Sequence, residues 1–217
     1  MRICLLGPGN IEYHYFRLLK IGKKRFKEEI DRIASILSRK KVELVLLPAK
    51  GLPYEIAKKC KELNKESIIY GLVPFNDKVF GIKHLKDYMD KKVMYKFFNT
   101  GDWYKQHMTI ALFGDVVLLL GLSLGSLSEL LDGLYIYKIL AGKKPYVGVK
   151  REKIHKEVRA GSKMPLFILA YRPFIKKGLG YEIESYIKKS DAKLIYVDSS
   201  DQFDKIISKL VKKYETF

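Results

Sequence analysis

The sequence contains little cysteine and little histidine. Cys4 and Cys60 are the only cysteines among 217 residues, and they form no CxxC pair. We therefore predict two core thiols rather than metal ligands or a disulfide. The four histidines are scattered without zinc-ligand spacing; they are His14, His84, His107 and His155. These residues predict no metal site and no cofactor.

Long apolar segments are also absent. The longest run, from Val116 to Leu122, is far shorter than the roughly 20 residues that a membrane helix needs. The first ten residues, MRICLLGPGN, form a short strand-like run and a glycine turn, which is unlike a signal peptide. We expect a cytoplasmic protein without a membrane partner.

Two glycine-rich nucleotide motifs are missing. The chain has no GxxxxGK[ST] segment, which disfavours a P-loop ATPase, and its first glycine loop, GPGN at 7–10, is not a full GxGxxG. A standard dinucleotide site is therefore disfavoured as well.

Basic residues are abundant, and the net charge is +18. Such a charge fits nucleic acid, anionic ligands or an acidic partner. However, the basic residues are spread along the chain, and their densest patches also contain acids, which favours solvated faces. Binding of single-stranded nucleic acid is kept as a less favoured alternative.

The apolar pattern predicts alternating strands and helices. Strands are predicted at 2–6, 42–48, 67–74, 91–98, 115–120, 144–150 and 192–198, with a strand or buried loop at 163–173. Helices are predicted at 23–39, 51–64, 102–113, 125–143, 180–190 and 200–214, the last capped by Ser200 or Asp201; 83–90 is a short helix or an ordered loop.

Most of these strands are continuous apolar runs, which is typical of a parallel sheet covered on both faces. The predicted fold is a doubly wound α/β fold, Rossmann-like, with a mostly parallel sheet of about seven strands and helices on both faces. We expect a single domain over 1–217, in which 151–217 extends the same sheet.

Three predicted strand-to-helix junctions could bind an anion, because unpaired amides and the helix dipole attract negative charge there. Their candidate residues for phosphate or nucleotide binding are Gly7, Gly9, Asn10, Lys50, Gly51, Gly121, Ser123, Gly125 and Ser126. An alternative stays open at the third junction, because Ser126 followed by Glu129 also fits a capping box.

These loops resemble motifs of the lonely guy-like Rossmann nucleotide-binding proteins, formerly misnamed lysine decarboxylases. That wider group includes molybdenum-cofactor carrier-like and DNA-processing proteins. DVVLLLGLSLGSLSE, from Asp115 to Glu129, is similar to the family's PGGxGTxxE motif. Gly125, Ser126 and Glu129 fall on its G, T and E, whereas Leu122 and Ser123 replace the leading glycines.

Two further segments carry the resemblance, which covers about residues 1–150. GLPYEIAKKC from Gly51 is similar to the family's second glycine loop, although Pro48, Ala49 and Lys50 replace the preceding glycines. YKQHM at 104–108 falls on RKxxM, so that Tyr104 stands at the arginine and Lys105 at the lysine.

The resemblance implies a nucleotide or sugar phosphate as the small-molecule partner, and a homodimer as the assembly. It also implies hydrolysis of the N-glycosidic bond of a nucleoside 5′-monophosphate. Glu129 would stabilise an oxocarbenium-like transition state, and Lys105 would compensate for the arginine that Tyr104 replaces. The alternatives are a non-catalytic nucleotide or cofactor sensor or carrier, and a DNA-processing-like protein.

Overall fold

The computed structural model describes residues 1–141 and 165–215. Within them, seven parallel strands form one sheet in the order β4-β3-β2-β1-β5-β6-β7. The strands are β1 Arg2–Leu6, β2 Glu43–Leu46, β3 Ile68–Val73, β4 Lys96–Asn99, β5 Val116–Leu119, β6 Phe167–Tyr171 and β7 Lys193–Val197. The predicted doubly wound fold is confirmed.

Six α-helices accompany these strands in the described ranges. They are α1 Lys23–Arg39, α2 Leu52–Leu63, α3 Trp103–Thr109, α4 Leu124–Ala141, α5 Tyr181–Lys189 and α6 Ser200–Glu215. Shorter turns lie at Glu12–Leu18 (π), Lys83–Tyr88, Ile110–Phe113 and Arg172–Phe174 (3-10).

The continuous apolar strands are explained by two separate cores. Ile3 and Leu5 of β1 pack into the core that contains α1, α2 and α6. Cys4 and Leu6, which point to the opposite face, pack into the core that contains the Ile110–Phe113 turn, α4 and α5. Because both faces are covered, successive residues of a central strand are all apolar.

Several predicted boundaries differ from the structure. β4 is shorter than the predicted strand 91–98, because 91–95 form turns before it. The π-helical turn Glu12–Leu18 was not predicted. Ser199, rather than Ser200 or Asp201, caps α6, since its Oγ accepts the Gln202 amide at 3.2 Å. The predicted strand 144–150 lies outside the described residues.

The sheet order creates a crevice between β1 and β5. The chain runs outward from β1 to β4 and then crosses back to place β5 beside β1. Ligands of open α/β sheets bind at this kind of switch point, beyond the carboxyl ends of the strands.

Glycine is required where the loops around this crevice touch. Gly51 has φ +151°, and a Cβ there would lie 2.8 Å from Gly9 Cα. Gly121 has φ +153°, and its Cβ would lie 2.8 Å from a Pro8 ring carbon. Any larger residue would separate the loops that follow β1, β2 and β5.

Candidate functional site

A cavity of about 190 Å³ lies at the switch point. The loops after β1, β2 and β5 form it together with α3 and α4. Its lining residues are Leu5, Gly7, Gly9, Leu47, Ala49, Lys50, Pro53, His107, Ile110, Ser123, Gly125, Ser126 and Glu129. Seven of the residues proposed from the sequence therefore meet in one place: Gly7, Gly9, Lys50, Ser123, Gly125, Ser126 and Glu129.

The start of α4 is capped by two serines. Ser123 Oγ accepts the Ser126 amide at 3.2 Å, and Ser126 Oγ accepts the Ser123 amide at 2.9 Å. This reciprocal pair has the geometry of a capping box. The capping box predicted for Ser126 and Glu129 is therefore wrong by one turn, because Glu129 takes no part in it.

The capping box leaves two amides of the first turn unpaired. Within the described residues, the backbone N–H groups of Leu124 and Gly125 have no hydrogen-bond acceptor. Gly125 lines the cavity, and a Cβ at this position would meet only Ser123 Oγ, at 4.0 Å. An anion can approach these amides closely, with the positive end of the helix dipole behind them.

Glu129 is a buried carboxyl group on the wall of the cavity. Its side chain is nearly inaccessible, with a relative exposure of 8% for the residue. It has no hydrogen-bond donor or cation among the described residues. Burial alone raises the pKa of this carboxyl to about 8, so that it is mostly protonated at pH 7 and can donate a hydrogen bond.

Lys50 supplies an exposed ammonium group at the rim. It follows β2, and it has no carboxylate partner in the part of the chain that the structure describes. Its carbonyl oxygen lies 3.0 Å from the position of a Cβ on Gly9, so the first two loops are in contact. A lysine here is a mobile point charge that can reach an anionic ligand.

Three other predicted binding residues shape the loops without lining the cavity. Asn10 Oδ1 accepts the Tyr13 amide at 3.0 Å and so begins the π-helical turn. Gly51 and Gly121 allow the loop contacts described above, and the Gly121 carbonyl accepts the Ser126 hydroxyl at 3.1 Å.

Lys105 lies outside the cavity lining. It is on the exposed face of α3, where its ammonium group is 3.3 Å from Asp102 Oδ2 within the same helical turn. Tyr104, its neighbour, is also exposed. The pair that falls on the RK of the family motif therefore does not contribute to the cavity wall in this conformation.

His107 is a lining residue that the sequence reasoning missed. Its Nδ1 lies 3.2 Å from Ser128 Oγ, which donates to Asp132 Oδ2 at 3.0 Å. A single histidine without metal spacing gave no signal by itself. The available signal was its position within the YKQHM segment, two residues after Lys105.

The described ranges contain neither a metal-binding cluster nor a membrane-spanning helix. No group of three or more histidine, cysteine, aspartate or glutamate side chains is arranged to hold a metal ion there. No helix in the same residues is both long enough and apolar enough to cross a bilayer.

Comparison with known proteins gives similarity in structure but not in sequence. No protein-family model matches the chain, and no curated protein matches it significantly. Among solved structures, the chain is similar to the molybdenum cofactor binding protein of Rippkaea orientalis, with a TM-score of 0.56 and 15% identity. The alignment covers 97% of this chain and 96% of that one.

A second similar structure is the molybdenum cofactor carrier protein of Chlamydomonas reinhardtii. It has a TM-score of 0.55 and 11% identity, over 97% of this chain and 98% of that one. The fold is Rossmann-like. At this level of identity the likeness establishes the fold and not the ligand.

Proposed function

We propose that this protein binds a nucleotide or a nucleotide-bearing cofactor at the switch-point cavity, with a phosphate at the start of α4. The observation that carries the proposal is the pair of unpaired amides, Leu124 and Gly125, beside a cavity at the carboxyl ends of β1 and β5. The helix dipole, the two unpaired amides and the nearby ammonium group of Lys50 all favour binding of an anion there.

The size of the cavity determines which part of the ligand it encloses. At about 190 Å³ it is smaller than the roughly 300 Å³ at which sites for drug-sized ligands begin. It has room for a phosphate and a sugar, whereas a base would lie at the rim. The exposed backbone of Gly9 and the side chain of Lys50 form part of that rim.

Glu129 favours binding over cleavage. A fixed negative charge would stabilise an oxocarbenium-like transition state, but burial raises the pKa of Glu129 to about 8. A protonated carboxyl group does not repel a phosphate and can donate to a ligand oxygen. Because Tyr104 and Lys105 also lie outside the lining, we place a non-catalytic binding protein or carrier first.

Hydrolysis of a nucleoside 5′-monophosphate is the second candidate. It is favoured by one observation, the buried carboxyl group of Glu129 on the same cavity wall as Gly125 and Ser126. In this reaction Glu129 would protonate the leaving base or, once ionised, stabilise the positive sugar. Because the two similar structures are a molybdenum cofactor binding protein and a molybdenum cofactor carrier protein, the molybdenum cofactor is a further ligand to test.

The test is to titrate the protein with AMP, GMP, CMP and UMP and to assay the same mixtures for free base. We expect saturable binding of at least one nucleotide without release of base. Release of base that Glu129→Gln abolishes would instead favour hydrolysis. If neither binding nor release occurs with any of the four nucleotides or with the molybdenum cofactor, the proposal fails.

Two assembly proposals remain from the sequence. On α4, Leu130 and Leu134 belong to the core, whereas Leu131 and Tyr135 are exposed. These two exposed side chains could contact a second copy of the chain. Light scattering of the wild type and of a Tyr135→Lys variant tests for a homodimer.

Binding of single-stranded nucleic acid would appear as an affinity that falls steeply with salt.

A further inference from the structure

A chain of hydrogen bonds through three residues holds the Nδ1 side of the His107 imidazole. It joins His107 Nδ1 to Ser128 Oγ over 3.2 Å, and Ser128 Oγ to Asp132 Oδ2 over 3.0 Å. The last two residues are four positions apart on α4, so they lie on one side of that helix. His107 belongs to α3 and lines the cavity from the facing helix.

The direction of these bonds fixes the tautomer of His107. Ser128 has a single hydroxyl proton, which it donates to the carboxylate of Asp132. Its oxygen must then accept from His107, so Nδ1 carries a hydrogen. The neutral ring therefore has a lone pair at Nε2, and among the described residues the one hydrogen bond of this ring is the Nδ1 contact with Ser128.

Ionisable groups of both signs lie around His107. From α4, Ser128 Oγ contacts Nδ1 of the ring and connects it to the Asp132 carboxylate, and Glu129 lines the same cavity. Its own helix contributes Trp103, whose ring meets the imidazole edge-on with centroids 6.3 Å apart. Across the cavity, the charged side chain among the lining residues is Lys50.

We propose that His107 takes up a proton when the ligand binds and donates it from Nε2 to a phosphate oxygen. The inference rests on the proposed function, because it requires an anion in the cavity. With a lone pair at Nε2, neutral His107 would repel a phosphate oxygen, whereas the imidazolium donates a charge-assisted hydrogen bond. Ser128 and Asp132 act as positioning residues that hold the ring and its tautomer.

The experiment follows the His107 imidazole by NMR in protein labelled at histidine, with assignment from a His107→Gln spectrum. The pH midpoint of this resonance is measured without ligand, with AMP and with sulfate. Sulfate serves as the probe that does not itself titrate between pH 5 and 8. We expect the midpoint to rise by about one pH unit, since about tenfold tighter binding to the protonated ring requires that shift by linkage.

Affinity measurements supply a second readout. Wild-type affinity for sulfate should fall by about tenfold as the pH rises from 5.5 to 8, and His107→Gln should remove most of this dependence. Asp132→Asn should weaken the pH dependence and alter the tautomer seen by 15N shifts. His84→Gln is the matched control, because His84 is exposed and lies outside the cavity lining.

The possible outcomes separate the two proposals. If AMP and sulfate bind but the His107 midpoint does not move, this inference is wrong and the proposed function stands. If AMP and sulfate bind and His84→Gln removes the pH dependence as strongly as His107→Gln, the assignment to His107 is also wrong. If no anion binds to the wild type, both proposals fail together.

Discussion

Buried ionisable groups are paired at the amino end of the central strands and unpaired at the carboxyl end. At the amino end, Arg2 is buried and its Nε lies 2.9 Å from Glu43 Oε2. The Arg2 amide donates to Asp115 Oδ2 at 2.7 Å, and the guanidinium lies 4.9 Å from the centroid of the Tyr70 ring. At the carboxyl end, Glu129 is equally buried but has no donor or cation within the described residues.

This difference distinguishes a structural charge cluster from a candidate binding site. Paired groups at the amino end stabilise the register of β1, β2 and β5, because each partner satisfies the other after both lose water. The unpaired carboxyl group of Glu129 is buried, so it costs stability unless a ligand completes it. The amides of Leu124 and Gly125 belong to exposed residues and are open to an anion from solvent. We therefore expect substitutions at the two ends to affect different measurements.

The largest expected effect is on ligand binding at Gly125. Gly125→Asp puts a carboxylate where the phosphate is proposed to lie, and AMP affinity should fall at least about 100-fold, or about 2.7 kcal/mol. An acidic residue in the first turn of α4 suits the helix dipole, so the fold should be retained. Isothermal titration and circular dichroism measure the two properties.

The control for this variant is Gly125→Asn, which has nearly the same shape without the charge. Space is available for it, since a Cβ would approach only Ser123 Oγ, at 4.0 Å. Its AMP affinity should stay within about tenfold of wild type. Equal losses in the two variants would mean that the position tolerates no side chain and does not select against negative charge.

An intermediate effect is expected at the amino end, on stability alone. Glu43→Gln removes the charge that faces Arg2, and the free energy of unfolding should fall by about 1–2 kcal/mol. AMP affinity should change less than twofold, because the Arg2–Glu43 pair lies at the amino ends of the strands and the cavity lies at their carboxyl ends. Urea unfolding and titration on the same sample check this. If Glu43→Gln left the stability unchanged but weakened AMP binding, the proposed division between a stabilising amino end and a ligand-binding carboxyl end would be wrong.

A pH-dependent effect on stability is expected for Glu129→Gln. Burial raises the pKa of Glu129 to about 8, so the folded protein keeps a proton that the unfolded chain loses near pH 4.5. Wild-type stability therefore falls as the pH rises between these values. The variant should gain about 3–4 kcal/mol relative to wild type between pH 5 and pH 8.5.

The measurement for this third prediction is urea unfolding of both proteins at several pH values. Glu43→Gln provides the comparison, since a paired carboxylate should not gain stability in this direction when its charge is removed. A stability difference between Glu129→Gln and wild type that is the same at pH 5 and pH 8.5 would show that Glu129 is ionised throughout. The preference for binding over hydrolysis would then lose its support.

Much of the fold could be predicted because burial acts directly on the sequence pattern. Strands β1, β2, β3 and β5 are covered on both faces, and their apolar runs at 2–6, 42–48, 67–74 and 115–120 mark them. β4 was harder to delimit, because turns at 91–95 precede an edge strand that contains the exposed Lys96. The π-helical turn at Glu12–Leu18 has no periodicity that single-sequence reasoning recognises.

The residues that line the cavity could be predicted where backbone geometry dominates, and they were missed where side chains meet across helices. Glycines and serines after β1 and β5 mark loop positions, so Gly7, Gly9, Gly125 and Ser126 were identified. The contact between His107 and Ser128 joins residues 21 positions apart on two helices. Such a contact depends on how α3 packs against α4, which the local pattern does not specify. The same packing leaves Lys105 paired with Asp102 outside the lining.

The most direct measurement is a crystal structure of the protein with AMP. The account predicts that the phosphate lies about 3 Å from the amides of Leu124 and Gly125, with the ribose beside Glu129. A complex in which AMP is bound elsewhere, with these two amides still facing water, would contradict it.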